Sequence, residues 1–167
     1  LDSLDPAATL FLNADDPYVP ELANGWPGQV QWHGFEDRAV ASSETGPADA
    51  RWCRACGGAY EYSARYAAHL GWWRCTGCTR QRPTPQTTAS GIAVTPTRSR
   101  FHVPGLGELT TPLSGLYNVA NALAAISVAQ GLGLSMEGIR KGLVNARPAF
   151  GRGEIVMLEG RRLRLLL

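Results

Sequence analysis

The sequence lacks several features that would settle its class at a glance. It contains no run of about 18 apolar residues, so no membrane-spanning helix is expected. Sixteen basic against fourteen acidic residues leave a net charge of +2, too slight to mark a nucleic-acid binder or a protein drawn to acidic membranes. No secretory signal pattern is visible, which makes the cytoplasm the expected compartment and disulfides unexpected. No G-x-x-G-K-[ST] occurs, so a phosphate-cradling loop with its lysine is absent from this stretch. Histidine is rare, and His33, His69 and His102 are isolated from one another. Cysteine is confined to four residues.

Those four form two C-x2-C pairs, Cys53 with Cys56 and Cys75 with Cys78, and 18 residues separate the inner two. Each two-residue gap lets a tight turn present both thiolates to one ion, with Zn–S near 2.3 Å as an approximate value. Gly57, Gly58 and Gly77 stand where a metal-wrapping knuckle needs positive φ. Two disulfides or a redox dithiol are the alternatives; a redox pair needs only one C-x2-C. The pattern points to a structural zinc ribbon over residues 51–82 with all four positions filled by protein, leaving none for catalysis by the metal. The ribbon is expected to have almost no other core, so chelation should loosen it and leave the rest folded. His69 lies between the knuckles as a substitute ligand that four thiolates make unnecessary.

Along the chain, Thr9-Leu10-Phe11-Leu12-Asn13-Ala14 reads as a buried parallel strand ending at Asp15-Asp16-Pro17. Helix capping is the expected role of the two aspartates, ahead of a magnesium site, with a brief helix over 18–23. Residues 29–35 alternate as a half-exposed strand, 36–50 form a linker, and 59–62 with 70–74 form the ribbon hairpin. Residues 80–90 read as an exit linker, 92–97 with 99–103 as a hairpin, and 108–112 as a further strand, which makes a mixed sheet. Leu116 to Leu132 has no charged residue and apolar residues on every face, so it reads as a helix buried all round. Ser135 caps a second helix over 136–145, with Ile139 and Leu143 inward. Residues 154–159 pair with 162–167 across Gly160. Both ends read as cut, as in a piece of a longer enzyme.

Within the uncharged helix, Asn118 and Asn121 share one face. A buried amide left unpaired costs on the order of 1–3 kcal/mol. Bonding to nearby backbone would satisfy it, and so would the donor–acceptor edge of adenine. The stretch Gly115-Leu116-Tyr117-Asn118-Val119-Ala120-Asn121-Ala122-Leu123-Ala124-Ala125 resembles the H-N-x-x-N-x-x-A-A signature of the central ATPase domain of Mur ligases. Leu12-Asn13-Ala14-Asp15-Asp16-Pro17 is similar to that domain's N-A-D-D segment. Phe150-Gly151-Arg152-Gly153-Glu154 is similar to the G-R-x-E element at its handover to the C-terminal domain. A four-cysteine ribbon between the first two, with Tyr117 in place of histidine, resembles the MurT-type branch, the Mur-ligase-like half of lipid II isoglutaminyl synthase.

The resemblance implies an α/β fold, part of a three-layer Mur-ligase central domain with a mixed sheet and an inserted β zinc ribbon. Its division would be 1–50 and 83–147 for the central domain, 51–82 for the ribbon, and 148–167 for the start of the C-terminal domain. It implies an ATP-dependent amide ligase acting through an acyl phosphate on the D-glutamate α-carboxylate of lipid II. A glutamine amidotransferase partner would supply ammonia. Asn118 and Asn121 would face the adenine and Arg152 the phosphates of ATP, with Mg in the intact enzyme and Zn structural. No catalytic residue is assigned, and this stretch alone is expected to be inactive. Two rivals stand beside this reading. One is a Mur-like ligase for another amino-acid substrate. The other is a nucleic-acid module stacking bases on Trp52, Tyr60, Tyr62, Tyr66, Trp72 and Trp73.

Overall fold

In the computed structural model, which describes residues 3–42, 50–147 and 155–164, the apolar run Leu10–Asn13 forms β1 and pairs in parallel with β2, Val30–Phe35. β1 lies at the sheet edge and is half-buried rather than fully covered. β2 grades from half-buried at Val30 to buried at His33, Gly34 and Phe35. Between them Asp16 Oδ1 accepts from the Tyr18 N–H at 2.8 Å, which turns the chain into a 3-10 helix over Val19–Ala23. Asp16 thus makes an Asx turn ahead of the helix rather than the cap expected of the pair, since the N-cap position falls on Tyr18, which has no side-chain cap hydrogen bond. Asp15 does not cap the helix either, because its side chain points into the protein.

The ribbon hairpin is longer than the sequence suggested, with β3 at Tyr60–Ala67 and β4 at Leu70–Cys75. β5, Thr87–Thr95, also begins earlier than expected, inside the stretch read as an exit linker. Its first residues pair in parallel with β2, and its later ones form a hairpin with β6, Arg98–Val103. β7, Gly107–Thr111, completes a five-stranded mixed sheet in the order β1-β2-β5-β6-β7. Parallel neighbours need a crossover connection. Between β2 and β5 that connection is the ribbon.

Helix α1, Leu116–Gly131, crosses the sheet and buries Val119, Ala122, Leu123, Ile126 and Ser127. It is not buried all round: Tyr117, Asn121, Ala125 and Val128 form an exposed face among the described residues. Small apolar residues permit helix on every face, but a helix laid on a sheet covers only one of them. α2, Met136–Val144, is capped by Ser135 Oγ accepting from the Gly138 N–H at 3.1 Å and turns Ile139 and Leu143 inward, as expected. The main core joins α1 to Phe35, Ala89, Phe101, Val103, Leu106 and Leu109. β8, Ile155–Leu158, and β9, Arg161–Arg164, make a separate hairpin, turned by Glu159 and Gly160 at positive φ.

Candidate metal centre and nucleotide groove

All four cysteine Sγ atoms lie within 4.8 Å of one another. Cys53 and Cys78 are 3.8 Å apart, and Cys56 and Cys75 are 3.4 Å apart. Edges of about 3.8 Å are what a tetrahedron of sulfur around zinc requires at the ordinary Zn–S length. No pair of the four is disulfide-bonded. The Gly58 N–H donates to Cys56 Sγ at 3.4 Å and the Gly77 N–H to Cys75 Sγ at 3.3 Å, so each knuckle turns its amides toward sulfur. The donor set fits zinc.

The three glycines serve it in two ways. Gly57 alone adopts positive φ, +73°. Gly58 and Gly77 face each other across the knuckles, and a Cβ on Gly58 would come within 2.7 Å of the Gly77 nitrogen. They are needed for closeness, not for φ.

The ribbon has more core than its length suggested. Tyr60 and Trp73 pack edge to face, ring centroids 5.3 Å apart, in a cluster with Cys53 and Cys75. Tyr66 is buried in the main core, with Trp72 packed against it. Tyr60, Tyr66 and Trp73 are therefore turned inward, and Trp52 is the ribbon tryptophan left exposed. A base-stacking platform made of all six aromatics is not formed.

The pairing of Asp15 with Arg82 is not visible in the sequence. Asp15 Oδ2 accepts from the Phe35 N–H at 2.8 Å and Oδ1 from Arg82 Nε at 2.7 Å. Arg82 also donates to Glu36 Oε1 at 2.8 Å and to the Phe35 carbonyl at 3.0 Å. Burial pushes the Asp15 carboxyl up to about 6, against the opposing pull of Arg82. Gly34 makes room for this clasp, since a Cβ there would lie 2.7 Å from an Arg82 nitrogen and 2.8 Å from Asp15 Oδ1. His69 pairs with Asp16, Nε2 to Oδ2 at 3.1 Å, instead of joining the cysteines.

A groove of about 330 Å³ runs between α1 and α2. Leu113, Ala122, Ile126, Leu134, Ile139 and Leu143 supply apolar walls, and Asn118 and Asn121 bring amides to it. Asn118 is half-buried and donates from Nδ2 to the Ser114 carbonyl at 2.7 Å, realising the local backbone bond considered from sequence. That bond uses one of the amide's several hydrogen-bonding positions. Asn121 is exposed, one turn further along the same face. Thr111, wholly buried, also lines the groove, and its hydroxyl has no partner among the described residues. Nothing in the sequence drew attention to it. Arg152 lies outside the described residues.

No model of a known protein family matches the chain. Individual proteins do. The chain is 33% identical over 166 residues to the MurT subunit of the glutamine-hydrolyzing lipid II isoglutaminyl synthase of Streptococcus pneumoniae, covering 97% of this chain and 36% of that protein. The chain belongs to the MurT-type Mur ligase family. The corresponding MurT subunit of Staphylococcus aureus is 27% identical over 135 residues, or 80% of this chain and 30% of its own length. Among solved structures, a pseudomurein peptide ligase type C from Methanothermus fervidus superposes with a TM-score of 0.73 at 26% identity, over 95% of this chain and 31% of that one. The chain spans about a third of the length of these relatives. The mixed sheet with helices and the cysteine cluster agree with the fold expected for this family.

Proposed function

We propose that this chain forms the ribbon-bearing and adenine-binding part of an ATP-dependent amide ligase that amidates the D-glutamate α-carboxylate of the lipid II stem peptide. The observation that carries the reading is the groove between α1 and α2, where two amides one helical turn apart border apolar walls. Such a site suits a flat heterocycle with a donor–acceptor edge. Asn118 and Asn121 contact adenine, and Arg152 reaches the phosphates, where a forked guanidinium balances charge during phosphoryl transfer. In that reaction a carboxylate oxygen attacks the γ-phosphorus and ADP departs with Mg. Ammonia, delivered by a glutamine amidotransferase subunit, then attacks the acyl carbon and releases phosphate. The four thiolates would hold zinc as a closed structural site with no part in either step. Residues 51–82 are the inserted ribbon, 1–50 and 83–147 belong to the central domain, and 148–167 lead into the C-terminal domain. The reaction takes place in the cytoplasm.

The full-length protein, supplied with its glutaminase partner, ATP, Mg and glutamine, should convert the stem carboxyl of lipid II to an amide, read by mass spectrometry. Absence of ATP-dependent amidation would sink the assignment. The likeness to a pseudomurein peptide ligase favours a second reading, a Mur-like ligase joining a different amino-acid acceptor. ADP release dependent on another amino acid, with lipid II inert, would select it.

A further inference from the structure

The ribbon's donors converge on one place. On the β1 side, Trp73 Nε1 donates to the Ala14 carbonyl at 3.0 Å, the Gly71 N–H to the Asp15 carbonyl at 2.9 Å, and Tyr60 Oη to the Pro17 carbonyl at 3.4 Å. On the β2 side, the Phe35 carbonyl receives Tyr66 Oη at 3.1 Å, Trp72 Nε1 at 2.9 Å and an Arg82 nitrogen at 3.0 Å. These acceptors lie at the carboxyl end of β2 and in the turn that directly follows β1, along the edge where open α/β sheets bind ligands. Buried carbonyls left unpaired are costly, so these strand ends depend on the ribbon for their geometry. Tyr66 also sits in the core that backs Val119 and Leu123 of α1, and Trp72 packs against that core together with Leu116. The helix that carries Asn118 and Asn121 therefore rests partly on ribbon side chains.

Zinc bound by the four thiolates would order the base of this hairpin, because Cys75 ends β4 and pairs with Tyr60 at the start of β3. We propose that the ribbon positions the nucleotide groove, so that zinc occupancy and nucleotide affinity are thermodynamically linked, with Arg82 the positioning residue that joins ribbon to sheet. This rests on the adenine reading of the groove for its ligand. Its structural half, that the ribbon orders the ends of β1 and β2, does not. Arg82 suits the role because its three nitrogens hold Asp15, Glu36 and the Phe35 carbonyl at once. A lysine there could keep one of these contacts but could not fork across all three. Linkage is reciprocal, so nucleotide must tighten zinc by the factor that zinc tightens nucleotide.

The test uses the full-length protein, zinc-loaded and zinc-stripped, with MgADP binding by calorimetry and amide hydrogen exchange over residues 13–17 and 34–37. Stripping should raise the MgADP Kd at least tenfold and lower protection in both segments at least tenfold. Arg82→Ala, with zinc content still one per chain, should weaken MgADP at least fivefold, and Arg82→Lys should recover only part of that. Should Arg82→Ala fail to fold or to keep its metal, Arg82→Lys is read by the same criterion. Arg80→Ala, which removes only the pair with Glu21, should leave MgADP affinity unchanged. Saturating MgADP should tighten zinc, measured by chelator competition, by the same factor as the Kd shift. An unchanged Kd and unchanged protection on stripping would overturn the proposal, as would wild-type MgADP affinity in a zinc-retaining Arg82→Ala protein. If zinc-loaded wild-type protein bound no MgADP, the adenine reading would fall, while the exchange data would still decide whether the ribbon orders the strand ends.

Discussion

Arg82 Nε and Asp15 Oδ1 stand 2.7 Å apart although the two residues are 67 positions apart in sequence, and both side chains are largely shielded from solvent. Asp15→Ala would leave the Arg82 charge without its closest partner and the Phe35 N–H without its acceptor. Breaking one side of a buried pair costs roughly 3–5 kcal/mol. Urea denaturation should register a loss in that range, and a change below about 1 kcal/mol would refute the clasp as a stabilising contact.

Zinc should be present at one ion per chain, and Cys75→Ser should abolish it. Removing a structural metal forfeits several kcal/mol, enough to lower the melting temperature by roughly 10 °C in a domain of this size. The loosening should extend beyond the ribbon into α1, because Tyr66 and Trp72 pack with that helix. A local change restricted to residues 50–82, with α1 amides unaffected, would restore the simpler expectation of an independent insert.

Asn121→Ala should raise the KM for ATP by about tenfold, equivalent to roughly 1.4 kcal/mol, with little change in folding stability, because the side chain is exposed. Asn118→Ala should raise the KM and also lower folding stability, since its amide ties the start of α1 to Ser114. An unaltered KM in Asn121→Ala would remove this residue from the adenine contact.

His33 supplies a pH dependence. Burial pulls its imidazole down to about 4 from the ordinary 6.5. The folded state thus binds fewer protons than the unfolded one, so His33 contributes stability above pH 6.5 that is lost as pH falls toward 4. Asp15 acts in the opposite sense. Its folded carboxyl, raised to about 6 from 3.8, favours the folded state below 3.8 and loses that contribution as pH rises through about 6. Denaturant titrations from pH 7 to 4 should therefore show His33→Gln losing less stability than wild type and Asp15→Asn losing more. Parallel curves for all three proteins would contradict both shifts.

Much of this architecture is legible in local sequence. The spacing of Cys53, Cys56, Cys75 and Cys78 anticipates a clustered four-thiolate site, because two-residue gaps and glycine knuckles constrain geometry over a few residues. Ser135 with Ile139 and Leu143 likewise announces α2 through a cap and a helical repeat. Long-range contacts were less visible. The start of β5 was obscured by the Pro- and Thr-rich stretch after the ribbon, where parallel pairing to β2 outweighs local preference. In sequence Asp15 has the local chemistry of a cap, close ahead of a proline, whereas its partner Arg82 is distant in the chain. The face of α1 that stays open was hidden for a related reason, as alanine and valine are compatible with either burial or exposure.

The connection from β2 to β5 gives the ribbon a standing that an ordinary surface excursion lacks. Two parallel neighbours must be joined by a segment that climbs back over the sheet, and that task usually falls to a helix. Here the four-cysteine hairpin fills the place, with Tyr66 and Trp72 serving as the apolar face such a helix would present. Splicing it out with a short glycine loop would break the return path and uncover Phe35 and α1 together. A shortened protein would need a replacement helix carrying its own aromatic stripe.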